Sequence, residues 1–318
     1  MKILITGSAG FIGFNLAKNL IKNKKYFVTG IDNFDKYYDV NLKKKRNNLL
    51  IKNKNFKFHK INILNEKLLE KIFKKNKFDF VFHLAAQAGV RYSISYPKKY
   101  MDSNYVGFFN IIQLVKKYKV KRLFYASSSS VYGDNKKFPL KESERISPKN
   151  IYALSKKSNE EISSVYSNYY NVNCTGLRFF TVYGEWGRPD MMMMKFINSY
   201  YKKKIFKLYN FGNHTRDFTY IDDVIEILRR LLLKNSKLLK NDIFNICSNK
   251  PQKLVKIIDF MLKNKIKPKI KKISLQKADI IKTHGDNTKI LKITNYRSFK
   301  SFKFGLEKTI NWYKKYMI

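Results

Sequence analysis

The sequence predicts an α/β fold, a doubly wound parallel sheet followed by a smaller C-terminal lobe. Short β-branched or aromatic runs alternate with longer amphipathic stretches over the first half of the chain, the pattern of repeated βαβ units. A glycine-rich turn follows the first of those runs and opens the first helical stretch. Past residue 180 the alternation gives way to aromatic and glycine-rich loops, where the second lobe begins.

Strands are expected at 2–6, 26–31, 56–62, 78–86, 122–128 and 174–180, apolar runs free of proline and suited to burial on both faces of a parallel sheet. Helices at 11–23, 66–75, 103–118 and 152–170 lie between them. Beyond these come a loop over 183–190, a helix near 192–201 and a short extended segment at 206–209. Residues 1–176 are expected to form a nucleotide-binding domain to which the chain returns around 216–247, with 177–318 mainly a substrate-binding lobe. No Pro/Gly/Ser linker divides the two, so they should pack together rather than be tethered. Open α/β sheets bind ligands outside the carboxyl ends of their strands, which puts the cleft between sheet and lobe.

A chain of 318 residues with 44% hydrophobic content can bury a large core. Its net charge of +43 raises nucleic acid or an anionic membrane as a partner. The lysines are, however, spread over almost every segment and interleaved with Asn, Ile, Phe and Tyr. These five residues share A/T-rich codons, so compositional bias explains the charge without a specific nucleic-acid partner. Cys174 and Cys247 lack metal-ligand spacing and a cysteine framework, as do His59, His83, His214 and His284 any ligand spacing; free thiols and no metal are expected. Met191 to Met194 reads as apolar packing. The start of the chain lacks the pattern of a secretory signal and no apolar run approaches a membrane span, so a cytoplasmic protein is expected.

Gly7-Ser8-Ala9-Gly10-Phe11-Ile12-Gly13 stands between the first strand and the first helix. Glycines there permit a tight turn and let backbone N–H groups approach a pyrophosphate at the helix N-terminus. Asp32 ends the second strand nineteen residues beyond Gly13, where a carboxylate can accept from the adenosine ribose hydroxyls and repel an added phosphate. The spacing predicts NAD as cofactor, in a Rossmann-like site.

Tyr152 and Lys156 are four apart on a helix, so a phenol and an ammonium share one face. The cation favours phenolate and makes Tyr152 a base able to take a proton from a sugar hydroxyl. The strand end Ala126-Ser127-Ser128-Ser129-Ser130-Val131-Tyr132-Gly133 supplies hydroxyls at the edge of the sheet.

These motifs, with His83-Leu84-Ala85-Ala86, the run from Leu177 to Gly184 and that from Arg216 to Asp223, together resemble the extended short-chain dehydrogenase/reductase family, from Met1 to about Asn249. The runs from Asp32 to Lys43, from Ala86 to Ser93 and from Gly187 to Met191 resemble its UDP-glucuronate 4-epimerases in particular. The resemblance implies that Tyr152 is the base, that Lys156 holds it and the nicotinamide ribose, and that Ser128 bonds the sugar C4 oxygen. It implies cofactor contacts from Gly7, Gly10, Phe11, Ile12, Gly13, Asp32, Asn33, Leu84, Ala85, Ala86 and Asn104. Ser127, Ser129, Thr181 and Arg188 would surround the sugar carboxylate, with Arg216 on the UDP phosphates and Arg91 and Asp279 also on the substrate. Ser129 and Ser130 stand where the family's dehydratases and decarboxylases carry an acid, which points to epimerisation. Asn62 replaces an Asp near the adenine, Gln276-Lys277-Ala278-Asp279 replaces Gln-Pro-Gly-Asp, and Glu185-Trp186 replaces Pro-Trp or Pro-Arg.

The reaction implied is NAD-dependent 4-epimerisation of a UDP-sugar, UDP-glucuronate to UDP-galacturonate, through a transient ketone. UDP-N-acetylglucosamine or UDP-glucose is the alternative substrate; a non-catalytic nucleotide- or nucleic-acid-binding protein is the alternative class. Family members dimerise through a four-helix bundle, here 103–118 and 152–170 from each of two copies.

Overall fold

The computed structural model describes residues 1–276 and 279–318, so Lys277 and Ala278 of the altered Gln276-to-Asp279 segment lie outside the described residues. In chain order, β1 (Lys2–Thr6), α1 (Phe11–Leu20), β2 (Phe27–Asp32), α2 (Val40–Ile51), β3 (Phe56–Lys60), α3 (Glu66–Asn76) and β4 (Phe80–His83) build the first half of the sheet. Two short helices, α4 (Tyr92–Ser95) and α5 (Pro97–Tyr100), and a π-helical turn at Met101–Val106 lead into α6 (Gly107–Lys117). Then come β5 (Arg122–Ser128), α7 (Ile151–Tyr170), β6 (Cys174–Phe179), β7 (Thr181–Tyr183), α8 (Met192–Tyr201) and β8 (Phe206–Tyr209). The chain ends with β9 (Thr215–Tyr220), α9 (Ile221–Leu233), β10 (Asn241–Ile246), β11 (Pro251–Lys253), α10 (Leu254–Lys263), β12 (Ile270–Ile273), α11 (Thr288–Thr294) and α12 (Phe302–Met317).

Seven strands in the order β10-β6-β5-β4-β1-β2-β3 form one sheet with every pairing parallel. The order reverses between β1 and β4, and the crevice there is where such sheets take their ligands. Each strand feeds both faces, as its period of two requires. Ile3, Ile5, Phe80, Phe82 and Phe124 enter one core cluster, while Leu4, Val81, Leu123 and Tyr125 enter the other. Two smaller sheets, β11-β9-β7 and β12-β8, are built from the later part of the chain, from which β10 returns to the large sheet.

The predicted strands at 56–62 and 78–86 stop earlier, at Lys60 and His83. In both, the first residue beyond the strand keeps one bond to the neighbouring strand (Ile61 N–H to Asp32 O, 3.2 Å; Leu84 N–H to Thr6 O, 3.1 Å), and the chain then lines the crevice. The predicted helix at 103–118 starts within the π-helical turn. Helix α2 has no counterpart among the predicted elements: the face it buries is Leu42, Lys43, Arg46, Asn47 and Leu50, mostly polar, so no apolar periodicity marks it.

Candidate active site

At the end of β1 the chain reverses on a turn held by Gly7 N–H and Ser8 N–H donating to Ile31 O (2.7 and 3.2 Å) and Gly10 N–H to Gly7 O (2.9 Å). Gly7 has φ +71°, and a Cβ there would lie 2.7 Å from Ala85 N; one on Gly13 would lie 2.2 Å from Gly7 O. Only glycine therefore lets the turn nest between the end of β4 and the start of α1. The first turn of α1 has no acidic residue and no capping side chain, so its N–H groups and positive dipole end face the crevice, as a pyrophosphate requires. The residues fit a dinucleotide.

Asp32 closes β2 beside this turn, accepting from Ala9 N–H (3.1 Å) and Phe34 N–H (2.8 Å). Burial raises its carboxyl above the ordinary range against the lowering effect of these amides, Lys43 and Arg46. Asn33, Leu84, Ala85, Ala86 and Asn62 line the same cavity.

The chemical end lies across β4. Helix α7 opens with Asn150 capping Ala153 N–H (2.9 Å); Tyr152 in its first turn and Lys156 one turn later both line the cavity. The Lys156 ammonium is buried and donates to Ala126 O at 2.8 Å; desolvation pushes its pKa down to about 8. Ser128 and Ser129 stand at the end of β5 in the cavity wall, with Ser128 Oγ accepting from Ser130 N–H (3.2 Å). His83, buried nearby, bonds Thr6 Oγ1 through Nδ1 (2.8 Å), and burial drops its pKa to about 3, so it stays neutral.

Toward the smaller sheets the cavity, about 440 Å³, passes Thr181, Arg188, Arg216 and Asp279, a size suited to small ligands. Arg188 grips Asp190, Nε to Oδ1 at 3.0 Å, and Tyr37 Oη donates to the same carboxylate (3.0 Å). Burial works against the Arg188 charge, yet the Asp190 carboxylate holds its pKa above the usual guanidinium value. Arg216 donates to the carbonyls of Thr215, Ile280 and Ile281, and burial lowers its pKa to about 10.

Two residues named from the resemblance, Asn104 and Arg91, are not in the cavity wall, and a third, Ser127, lines it with its hydroxyl bonded elsewhere. Asn104 is buried outside the cavity wall, bonding both backbone groups of Gln87 (2.7 and 3.0 Å) and Ser155 Oγ (3.0 Å). Arg91 is largely exposed, ion-paired with Asp279 and stacked 3.7 Å from the Tyr209 ring centre. Ser127 borders the cavity, but its hydroxyl turns to Glu160 (2.5 Å), because neighbours on a strand point to opposite faces.

The residue that sequence reasoning missed is Arg46. Fully buried on α2, it donates to Ala9 O in the glycine turn (2.9 Å), to Tyr38 Oη (2.9 Å), and to Trp186 O (2.5 Å) and Gly187 O (3.1 Å) just before Arg188. It ties the cofactor turn to the loop that carries Arg188. The signal available in sequence was the polar pair Lys43 and Arg46 at one-turn spacing.

Residues 3–247 match the model of the NAD dependent epimerase/dehydratase family. The UDP-glucuronate 4-epimerase of Thermodesulfobacterium geofontis is 40% identical over 98% of this chain and 96% of its own. The crystal structure of UDP-glucuronic acid 4-epimerase from Bacillus cereus, in complex with UDP-glucuronic acid and NAD, superposes with a TM-score of 0.91 at 32% identity, covering 99% of each chain. The UDP-glucose 4-epimerase of Thermotoga maritima, solved with UDP-glucose, gives a TM-score of 0.88 at 29% identity over the whole of both chains. The chain belongs to the NAD dependent epimerase/dehydratase family.

Proposed function

We propose that the protein is an NAD-dependent 4-epimerase that interconverts UDP-glucuronate and UDP-galacturonate. The observation that carries this reading is one cavity holding the glycine turn, the Tyr152/Lys156/Ser128 constellation, and Thr181, Arg188 and Arg216. Residues 1–176, with the return at 216–247, take the dinucleotide, and 177–318 mainly take the UDP-sugar. When bound, NAD supplies a hydride acceptor that gives the same hydride back, so there is no net redox change. Tyr152 takes the C4 hydroxyl proton as that carbon is oxidised, and Ser128 bonds the C4 oxygen. The Lys156 ammonium, with one N–H on Ala126 O, keeps two more for the phenol and a ribose hydroxyl. The ketone would turn over in the pocket, and Tyr152 would then return the proton to the C4 oxygen. Ser129, Thr181 and the Arg188 guanidinium receive the carboxylate, Arg216 receives phosphate, and Asp279 and Arg91 close the nucleotide end. Asn104 serves the cofactor site through the Gln87 backbone. Incubation with UDP-glucuronate and product identification by NMR tests the reading; turnover of UDP-N-acetylglucosamine or UDP-glucose alone would keep the mechanism and change the sugar.

A homodimer through a four-helix bundle belongs to the same proposal. Met101, Tyr105, Val106 and Phe109 before and on α6, and Leu154, Val165 and Tyr169 on α7, are large apolar residues left exposed, a concentration that marks an interaction surface. Light scattering at micromolar concentration tests it, a monomer mass counting against it. No helix among the described residues is long and apolar enough to cross a membrane. We place the protein in the cytoplasm on the ground that Cys174 and Cys247 are buried free thiols.

A further inference from the structure

Glu160 lies two turns beyond Tyr152 and one beyond Lys156 on α7, so the three share one face of that helix, and Glu160 is buried there. Its Oε1 accepts from Ser127 Oγ (2.5 Å) and from Arg178 Nε (2.9 Å), and its Oε2 from Arg178 Nη2 (2.7 Å). The Glu160 and Arg178 side chains are only 5% and 2% exposed. Arg178, on β6, continues to Tyr132 Oη (2.8 Å) and Glu142 O (3.1 Å), and Tyr132 Oη donates to Asn245 Oδ1 on β10 (2.7 Å). One fully bonded network thus joins the helix of the acid/base pair, the strand end bearing Ser128, the turn after it and two further strands.

A buried ion pair is a poor device for stability, since desolvating two charges offsets their attraction. A network with every partner satisfied does, however, specify one arrangement of the elements that carry it. Here those elements are the ones whose relative placement decides whether the Tyr152 phenol and the Ser128 hydroxyl meet at one sugar oxygen. We infer that Glu160, braced by Arg178, is a positioning residue: by holding Ser127 it fixes Ser128 opposite Tyr152. The inference rests on the epimerase reading for its kinetic consequence, and it reassigns Ser127 from the sugar to the frame behind it.

Ser127→Ala tests it with least damage, because the ion pair and the core volume stay. The expected result is a kcat for UDP-glucuronate lower by about tenfold, as small misplacements of reacting groups produce, with KM and bound NAD unchanged, and recovery in Ser127→Thr. Glu160→Gln should lower kcat at least as far, and adding Ser127→Ala to it should cost nothing more, the sign of a shared pathway. Where Glu160→Gln fails to fold, the Ser127 variants alone decide. Amide hydrogen exchange at residues 128–132 is a readout independent of any sugar: it should quicken about tenfold in Ser127→Ala. Wild-type kcat and wild-type exchange in Ser127→Ala would overturn the inference, as would a rise in KM with kcat intact, which is what a sugar-binding serine predicts. A wild-type protein inert toward UDP-glucuronate whose Ser127→Ala variant still shows quickened exchange would defeat the substrate reading and leave the positioning role standing.

Discussion

Removing the ammonium of Lys156 should make the cofactor-free protein more stable while destroying its activity. Burial lowers this pKa from 10.5 to about 8, and at about 1.4 kcal/mol per unit the buried charge costs the folded state about 3 kcal/mol at neutral pH. Lys156→Met keeps the length of the side chain but leaves Ala126 O without its 2.8 Å donor, a loss of about 1–2 kcal/mol. The net gain is about 1–2 kcal/mol, or a few degrees in Tm for a chain of this size. The sign with pH follows from linkage. Below a pH of about 8 both folded and unfolded chains carry the proton and the penalty is complete. Between about 8 and 10.5 the unfolded chain binds the proton that the folded one has lost, so wild-type stability rises through that window. Melts of cofactor-free wild type and Lys156→Met at pH 7 and pH 9.5 check this, the advantage of the variant shrinking by about 2 kcal/mol at the higher pH. A variant less stable than wild type at pH 7, or a difference that does not change with pH, would refute the reasoning.

Three more outcomes follow from the geometry. Tyr152→Phe should lower kcat by about 10³ or more, the scale of a lost acid/base group, while the purified protein keeps its NAD, read from absorbance after denaturation. Gly13→Ala puts a methyl 2.2 Å from Gly7 O, so the glycine turn must open; the protein should be isolated without NAD and with a lower Tm. Arg46→Met strands four acceptors, among them Ala9 O and Gly187 O, and should cost about 2–4 kcal/mol in denaturant unfolding, with weaker NAD retention and a raised KM, since both loops lose their common anchor.

What the sequence made legible was set by which residues the fold buries. β1 and β5 run from Lys2 to Thr6 and from Arg122 to Ser128, as read, because both are apolar on two faces and bounded by turn residues. Tyr152 and Lys156 were legible because helical spacing alone puts them together. Helix α2 was hidden because Arg46 and Lys43 occupy positions where apolar residues would announce a buried face. Ser127 could have been separated from Ser128 by parity along the strand, but four serines in a row carry no contrast between faces. Asn104 and Arg91 were named from motif resemblance alone, since spacing gives no side-chain direction at either; the structure sets one on the Gln87 backbone and the other on Asp279 and Tyr209.

The central claim is that one hydride leaves C4 and returns to it on the other face. UDP-glucuronate deuterated at C4, incubated with the protein in ordinary water, tests it most directly by NMR. The account predicts UDP-galacturonate with the deuterium still on C4; product that has lost the label to solvent, or no 4-epimer at all, would contradict it.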